Sequence, residues 1–243
     1  MATQIRIAQD PDADAVLSSD PFALLVGMLL DQQYPMEHAF RGPWKLKSRF
    51  GSLDVDAIAS AEPESFADLA ATPPAIHRYG RSMAGRVQQL AAVVRDEYGG
   101  HAERIWTEAA DTQDLLGRLR RLPGYGDQKA RIFAALVGKQ LGVRPAGWQE
   151  AIGPYAEDGS YRSVADVVDA ESLQKVREFK QAAKAEAKAK AGAKPAAKKA
   201  ATAKAAANKA ATAKAAAKKA TAKKTATKKT TAKKTTTKRT ARA

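Results

Sequence analysis

Gly124 and Gly126 stand one residue apart in the run LPGYGDQKA, between two apolar segments of helical period. Glycines so spaced let a backbone turn sharply and leave successive N–H groups facing outward. Those groups fall at the start of the second segment, where a helix dipole favours an anion. A nucleic-acid phosphate suits that arrangement. Lys129, in the first turn of the following helix, is expected to reach the same phosphate or its neighbour. Contacts of this kind set position on a duplex and carry no base information. On spacing alone, a plain αα-hairpin whose glycines cap helices fits equally well.

A second group, Asp31-Gln32-Gln33-Tyr34, directly follows an apolar helical run. A glutamine amide can enter a base stack and hydrogen-bond an unpaired base; it is also at home on a solvated helix end. Asp31, beside the glutamines, is a candidate carboxylate. Tyr34, Trp44, Trp148 and Tyr155 carry rings on which bases can stack. Core packing is the default for each. His38, His77 and His101 lack metal-ligand spacing, so no metal site is expected. The absence of cysteine excludes disulfides, thiolate catalysis and cysteine-held zinc or iron–sulfur clusters.

These residues need helices to position them. Asp20-Pro21 is a cap followed by proline at the first helical position. Phe22, Leu25, Val26, Leu29 and Leu30 then share one face. Pro63 opens a short helix carrying Phe66 and Leu69. Met83, Val87, Leu90, Ala91 and Val94 form another stripe, ended near Gly99-Gly100. Thr112 is the expected N-cap of a helix bearing Leu115, Leu116 and Leu119. Asp127 is the expected N-cap of one bearing Ile132, Phe133, Leu136 and Val137. From Leu173 to about residue 190 a further helix is expected, and no strand pair appears.

The 243-residue chain carries a formal charge of +15, unevenly placed. From residue 181 onward there are 20 Lys or Arg and one acid, Glu186. The first 180 residues hold 21 basic and 25 acidic residues, a charge of −4. The C-terminal segment, in units such as AAAKKAT and TAKKT, has almost no apolar anchor larger than alanine. It cannot offset its chain entropy by burial, so 181–243 is expected to be a disordered basic arm. Residues 1–180 are expected to form one helical domain with its hairpin at about 112–140. Such an arm binds polyanions by counterion release, so salt weakens it steeply.

Double-stranded DNA is the expected partner, with RNA competing for the arm. The longest apolar run, Phe22–Leu30, falls short of the roughly 20 residues that span a bilayer. The opening MATQIRIAQDPDAD lacks a signal-peptide pattern. A soluble, cytoplasmic, nucleoid-associated monomer that avoids membranes is the expectation.

LPGYGDQKA resembles the hairpin of the HhH-GPD (helix-hairpin-helix) superfamily of base-excision DNA glycosylases. LLVGMLLDQQYPMEHAF is similar to that superfamily's helix ending in a glutamine-containing turn. RFGSLDVDAIASAEPESFADL and RSMAGRVQQLAAVV are similar to its middle helices. The likeness covers roughly residues 15–155. The chain also resembles a small actinobacterial family of such proteins, and its lysine-rich end is similar to the arms of linker histones.

The resemblance implies an all-α, two-lobe glycosylase-like fold, with a damaged base flipped into a cleft between the lobes. It implies that the backbone at Leu122, Gly124 and Gly126 contacts phosphate. It also implies that Gln33, beside Gln32, fills the gap left by a flipped base, and it makes Tyr34 and Trp148, which flank the expected cleft, the base-pocket candidates. Catalytic positions depart from the pattern. The family's strand-cutting lysine falls at Gln128, and Lys129 is one residue off, a rotation of about 100° on a helix. The family's aspartate is expected within GVRPAGWQEAI, which holds none; Glu150 is the nearest carboxylate. That loss matters because base removal builds positive charge on the sugar. A monofunctional DNA glycosylase and a non-catalytic lesion-binding or nucleoid protein both fit. No iron–sulfur cluster is expected, and a monovalent cation at carbonyls near Leu122 and Tyr125 is the one cofactor the hairpin suggests.

Overall fold

The computed structural model describes residues 4–189. The chain divides into two units, Met1–Ala182 and Ala183–Ala243. The expected disordered arm lies, beyond residue 189, outside the described residues. Within them the helices run in order: α1 (Pro11–Ser19), α2 (Pro21–Leu30), α3 (Met36–Phe40), α4 (Gly42–Phe50), α5 (Val55–Ser60), α6 (Pro63–Ala71), α7 (Gly80–Tyr98), α8 (Arg104–Thr107), α9 (Thr112–Arg121), α10 (Asp127–Gln140) and α11 (Trp148–Ile152). Residues 170–189 are helical again. No strand occurs among the described residues, so the fold is all-α. None of the single helices described is long and apolar enough to cross a membrane.

Helix α2 organises the rest. Pro21 opens it, and the Asp20 carboxylate accepts hydrogen bonds from the amides of Phe22 and Ala23. Every residue from Phe22 to Leu30 is buried. A helix apolar on all sides must lie inside a core. Accordingly α1, α3, α4 and α7 all pack against it. Gly27 admits the Phe40 ring; a Cβ there would sit 2.6 Å from it.

Two helical groups share one continuous core. In the first, α5 and α6 lie along α7, whose buried stripe includes Met83, Val87, Leu90, Ala91 and Val94. Gly99, in the left-handed conformation, ends that helix. In the second, α9, α11 and a 3₁₀ turn at Val164–Asp166 surround α10. Lys139 on α10 meets Asp166 at 2.5 Å, and both side chains are almost fully buried. Asp166 also accepts from the amides of Arg162 and Ser163, which satisfies the buried charge.

Two expected caps are corrected. Asp111, not Thr112, caps α9, through a bond from the Asp114 amide. The Thr112 hydroxyl instead donates to the carbonyl of Ala146 at 2.9 Å, tying α9 to the loop before α11. Gly126, not Asp127, is the N-cap of α10. The Asp127 carboxylate is taken by Arg120 and Arg131, which hold it below the usual carboxylate range.

Candidate nucleic-acid interface

The bend between α9 and α10 is a tight turn. Pro123 occupies its second position, and Gly124 its third at φ +78. The Tyr125 amide closes it by donating to the Leu122 carbonyl at 3.1 Å. Proline followed by a positive-φ glycine is the type II pattern. Space also demands glycine: a Cβ on Gly124 would come within 2.6 Å of Leu29.

The bend is fixed to α2. Tyr125 is buried, and its hydroxyl donates to the Leu25 carbonyl at 2.8 Å. Burial pushes that phenol well above its ordinary pKa. Leu122 is buried too, so only its backbone is available to a ligand. Gly124 and Gly126 are exposed. No side chain caps α10, and its first backbone bond runs from Ala130 to Gly126 at 2.9 Å. The amides of its first turn therefore have no acceptor within the helix. This is the geometry an anion fits.

Lys129 departs from expectation. It points away from the exposed bend, and its Nζ donates to the Leu29 carbonyl at 3.1 Å. The amine lies 5.8 Å from the Tyr125 ring centroid. Burial lowers its pKa to about 8, against the pull of Asp31 and with the push of Arg86. The one-residue offset from Gln128 thus turns this side chain toward the end of α2. Gln128 donates to the Tyr155 hydroxyl at 3.0 Å.

Between the end of α2 and the start of α10 lies a cavity of about 220 Å³. Met28, Asp31, Gln128, Lys129, Ile132 and Lys180 line it. Asp31 faces Lys180 at 3.7 Å. A second cavity, about 170 Å³, is lined by Gln32, Gln33, His77, Tyr79, Ser82, Met83 and Arg86.

The glutamine turn is held from two sides. Gln33 adopts φ +55, a conformation that costs a non-glycine residue on the order of 1 kcal/mol. Arg78 donates to the Gln33 amide oxygen at 2.9 Å, and Arg86 to that of Gln32 at 2.9 Å. His77 is buried, and its Nδ1 accepts from the Tyr79 amide at 3.1 Å. Its Nε2 therefore carries the proton and donates to the Gln32 carbonyl at 3.1 Å. Desolvation first, then the charges of Arg78 and Lys129, lowers the His77 pKa. Tyr79 is 56% exposed beneath the Arg78 guanidinium. Arg78, Tyr79 and Arg86 escaped the sequence reading, although HRYGRSMAGR clusters arginines about an aromatic ring.

The remaining candidates separate. Tyr34 is half-buried with its ring 4.7 Å from that of His77, beside the glutamine turn. Trp148 is corrected to a core residue. Its indole fills the space over Gly138, donates to the Ala134 carbonyl at 3.0 Å and is covered by Arg144. No ring face is left for a base. Glu150 is exposed and lines a different cavity, with Arg144 and Gln149, away from Asp31 and Lys129. Trp44 packs partly buried against the core. No group of acidic and histidine side chains suited to a metal ion occurs among the described residues.

Comparison with known proteins gives one family. The profile of the HhH-GPD superfamily base excision DNA repair proteins matches residues 26–242. No curated protein and no solved structure matches the chain. With its all-helical core and its glycine bend braced on α2, the chain belongs to the HhH-GPD superfamily of base excision DNA repair proteins.

Proposed function

We propose that this protein grips double-stranded DNA at the glycine bend, extrudes a damaged base and excises it in the cavity between α2 and α10. One observation carries the reading. The bend and the glutamine turn are fastened to the same helix, α2. Tyr125 and Lys129 bond the carbonyls of Leu25 and Leu29, and the glutamines follow Leu30 directly. Amides at Gly124, Gly126 and the first turn of α10 hold a backbone phosphate. Gln33, propped by Arg78, enters the gap left by the extruded base. Arg78, Arg86 and exposed Tyr79 supply charge and a stacking face beside it.

Within this reading the family's lysine position is Gln128, and Asp31 and Lys129 are the ionisable groups nearest the extruded base. Glu150, in its separate cavity, takes no part. The lysine-rich segment adds affinity without reading sequence, and RNA competes for it.

The test measures binding of the full chain to three duplexes: intact, mismatched, and carrying a tetrahydrofuran abasic analogue. Tighter binding to the analogue, reduced by Gln33→Ala, supports base extrusion. Equal affinity for all three leaves a non-catalytic DNA-coating protein instead.

A further inference from the structure

The cavity at the end of α2 is lined by ionisable groups of both signs, Asp31, Lys129 and Lys180. The inference drawn from it rests on the reading above. Asp31 is its carboxylate, 3.7 Å from the amine of Lys180, and Lys129, on the same lining, feels the pull of that carboxylate. Met28 and Ile132 supply apolar walls. A volume of about 220 Å³ equals that of about seven waters in the liquid, room for one nucleobase. Asp31 directly precedes the glutamine turn, so this cavity adjoins the residues that the reading places in the vacated stack, while Gln32 and Gln33 themselves line the neighbouring cavity.

We propose that Lys129, Asp31 and Lys180 form a donor–acceptor–donor row that reads deaminated bases, and that the two amines stabilise the departing base as an anion. Uracil offers the complementary edge: carbonyl, N–H, carbonyl. Hypoxanthine offers a carbonyl and an N–H in the same order. Mispaired thymine has uracil's edge. Cytosine and adenine reverse the first two groups, setting an amine against an amine and a ring nitrogen against the carboxylate. Sites built around such hydrogen bonds reject the wrong partner strongly, because their own groups are left unpaired. Thymine paired with adenine is protected by its pairing, since a mispaired base costs less to extrude.

The chemistry follows from the charge. Two ammonium groups and one carboxylate leave the cavity net positive. The C1′–N glycosidic bond breaks with its electron pair remaining on the base. The negative charge spreads to the carbonyl oxygens held by Lys129 and Lys180. Water adds its oxygen to C1′ and its proton goes to the base, giving a neutral free base and an abasic sugar. No oxidant or reductant is needed. A cationic N-alkylated purine gains nothing from two amines and is disfavoured.

Base release should fall as pH rises through about 8, where Lys129 loses its charge. Lys129 faces the Leu29 carbonyl on α2, Asp31 just beyond it, Tyr125 on the bend, Arg86 on α7 and Lys180 across the cavity, and its charge is also felt by His77.

The experiment incubates the full chain with duplexes carrying uracil opposite guanine, hypoxanthine opposite thymine, cytosine opposite guanine, or 3-methyladenine opposite thymine. Abasic sites are counted. Release of uracil and hypoxanthine but not cytosine, with 3-methyladenine slow, is expected. Lys180→Met, at a half-buried position where the methionine keeps the apolar stem, and Asp31→Asn should each slow uracil release on the order of 100-fold. Affinity for the abasic-analogue duplex should stay within a few-fold in both variants. Preference for 3-methyladenine, or unchanged uracil release in Lys180→Met, overturns the proposal. If the analogue is still preferred, only the base assignment falls. If that preference is also absent, the extrusion reading falls with it.

Discussion

The hydroxyl of Tyr125 donates to the backbone carbonyl of Leu25 at 2.8 Å, joining the glycine bend to the most buried helix of the fold. The bond lies in the core, so its phenol must remain neutral. A phenol whose pKa is raised by folding stabilises the native state fully below its unfolded pKa, about 10. That stability is lost as pH rises past about 10. Tyr125→Phe should cost about 1 kcal/mol at neutral pH. It should also flatten the alkaline decline. Urea unfolding midpoints between pH 8 and pH 11 measure both effects.

Gly124 meets two independent demands, a positive φ and close contact with Leu29. Gly124→Ala should therefore destabilise the chain by about 1–3 kcal/mol. Its effect on DNA affinity should exceed that of a core substitution of equal cost. Ile58→Val, a buried change on α5, which packs along α7, is the control; parallel losses of affinity in the two variants would count against a specific role for the bend.

His77 spans the Gln32 carbonyl and the Tyr79 amide in its neutral form. Its pKa is lowered by folding, so its contribution is present above the unfolded value, about 6.5, and is lost as pH falls through the lower folded value. Protonation breaks the bond from the Tyr79 amide. Preference for an abasic-analogue duplex should decline on acidification from pH 7.5 to pH 5. In His77→Gln, which keeps a donor amide, the decline should be shallower. Fluorescence anisotropy at fixed ionic strength reads it.

The basic segment and the helical unit should separate by salt. A chain ending at residue 189 loses most of the 20 cations that follow residue 180. Its overall affinity should drop and its salt dependence become shallower. Its preference for the abasic analogue should persist. Titrations from 50 to 200 mM salt measure slope and preference together.

Much of this was legible because it is local. Asp20-Pro21, the stripe of α2, Gly99 after α7 and the Pro123-Gly124 turn each declare themselves within a few residues. Long-range placement was not. Periodicity cannot tell that Lys129 turns to the Leu29 carbonyl, since the helix that receives it is remote in sequence. Trp148 packs over Gly138, a contact ten residues away that the run GVRPAGWQEAI does not declare. The partnership of Lys180 with Asp31 joins opposite ends of the helical unit, and no spacing rule reports such a pair. Glu150 is near the expected aspartate position in sequence only, while Asp31 shares a cavity with Lys129.

A crystal structure of the full chain on a duplex with a tetrahydrofuran abasic analogue opposite guanine tests the central claim most directly. The account predicts a DNA phosphate within hydrogen-bonding distance of the Gly124–Gly126 amides, Gln33 inside the duplex, and the abasic sugar turned toward Asp31 and Lys129. A duplex bound elsewhere on the protein, or one lying across the bend with Gln33 outside an undisturbed stack, would contradict it.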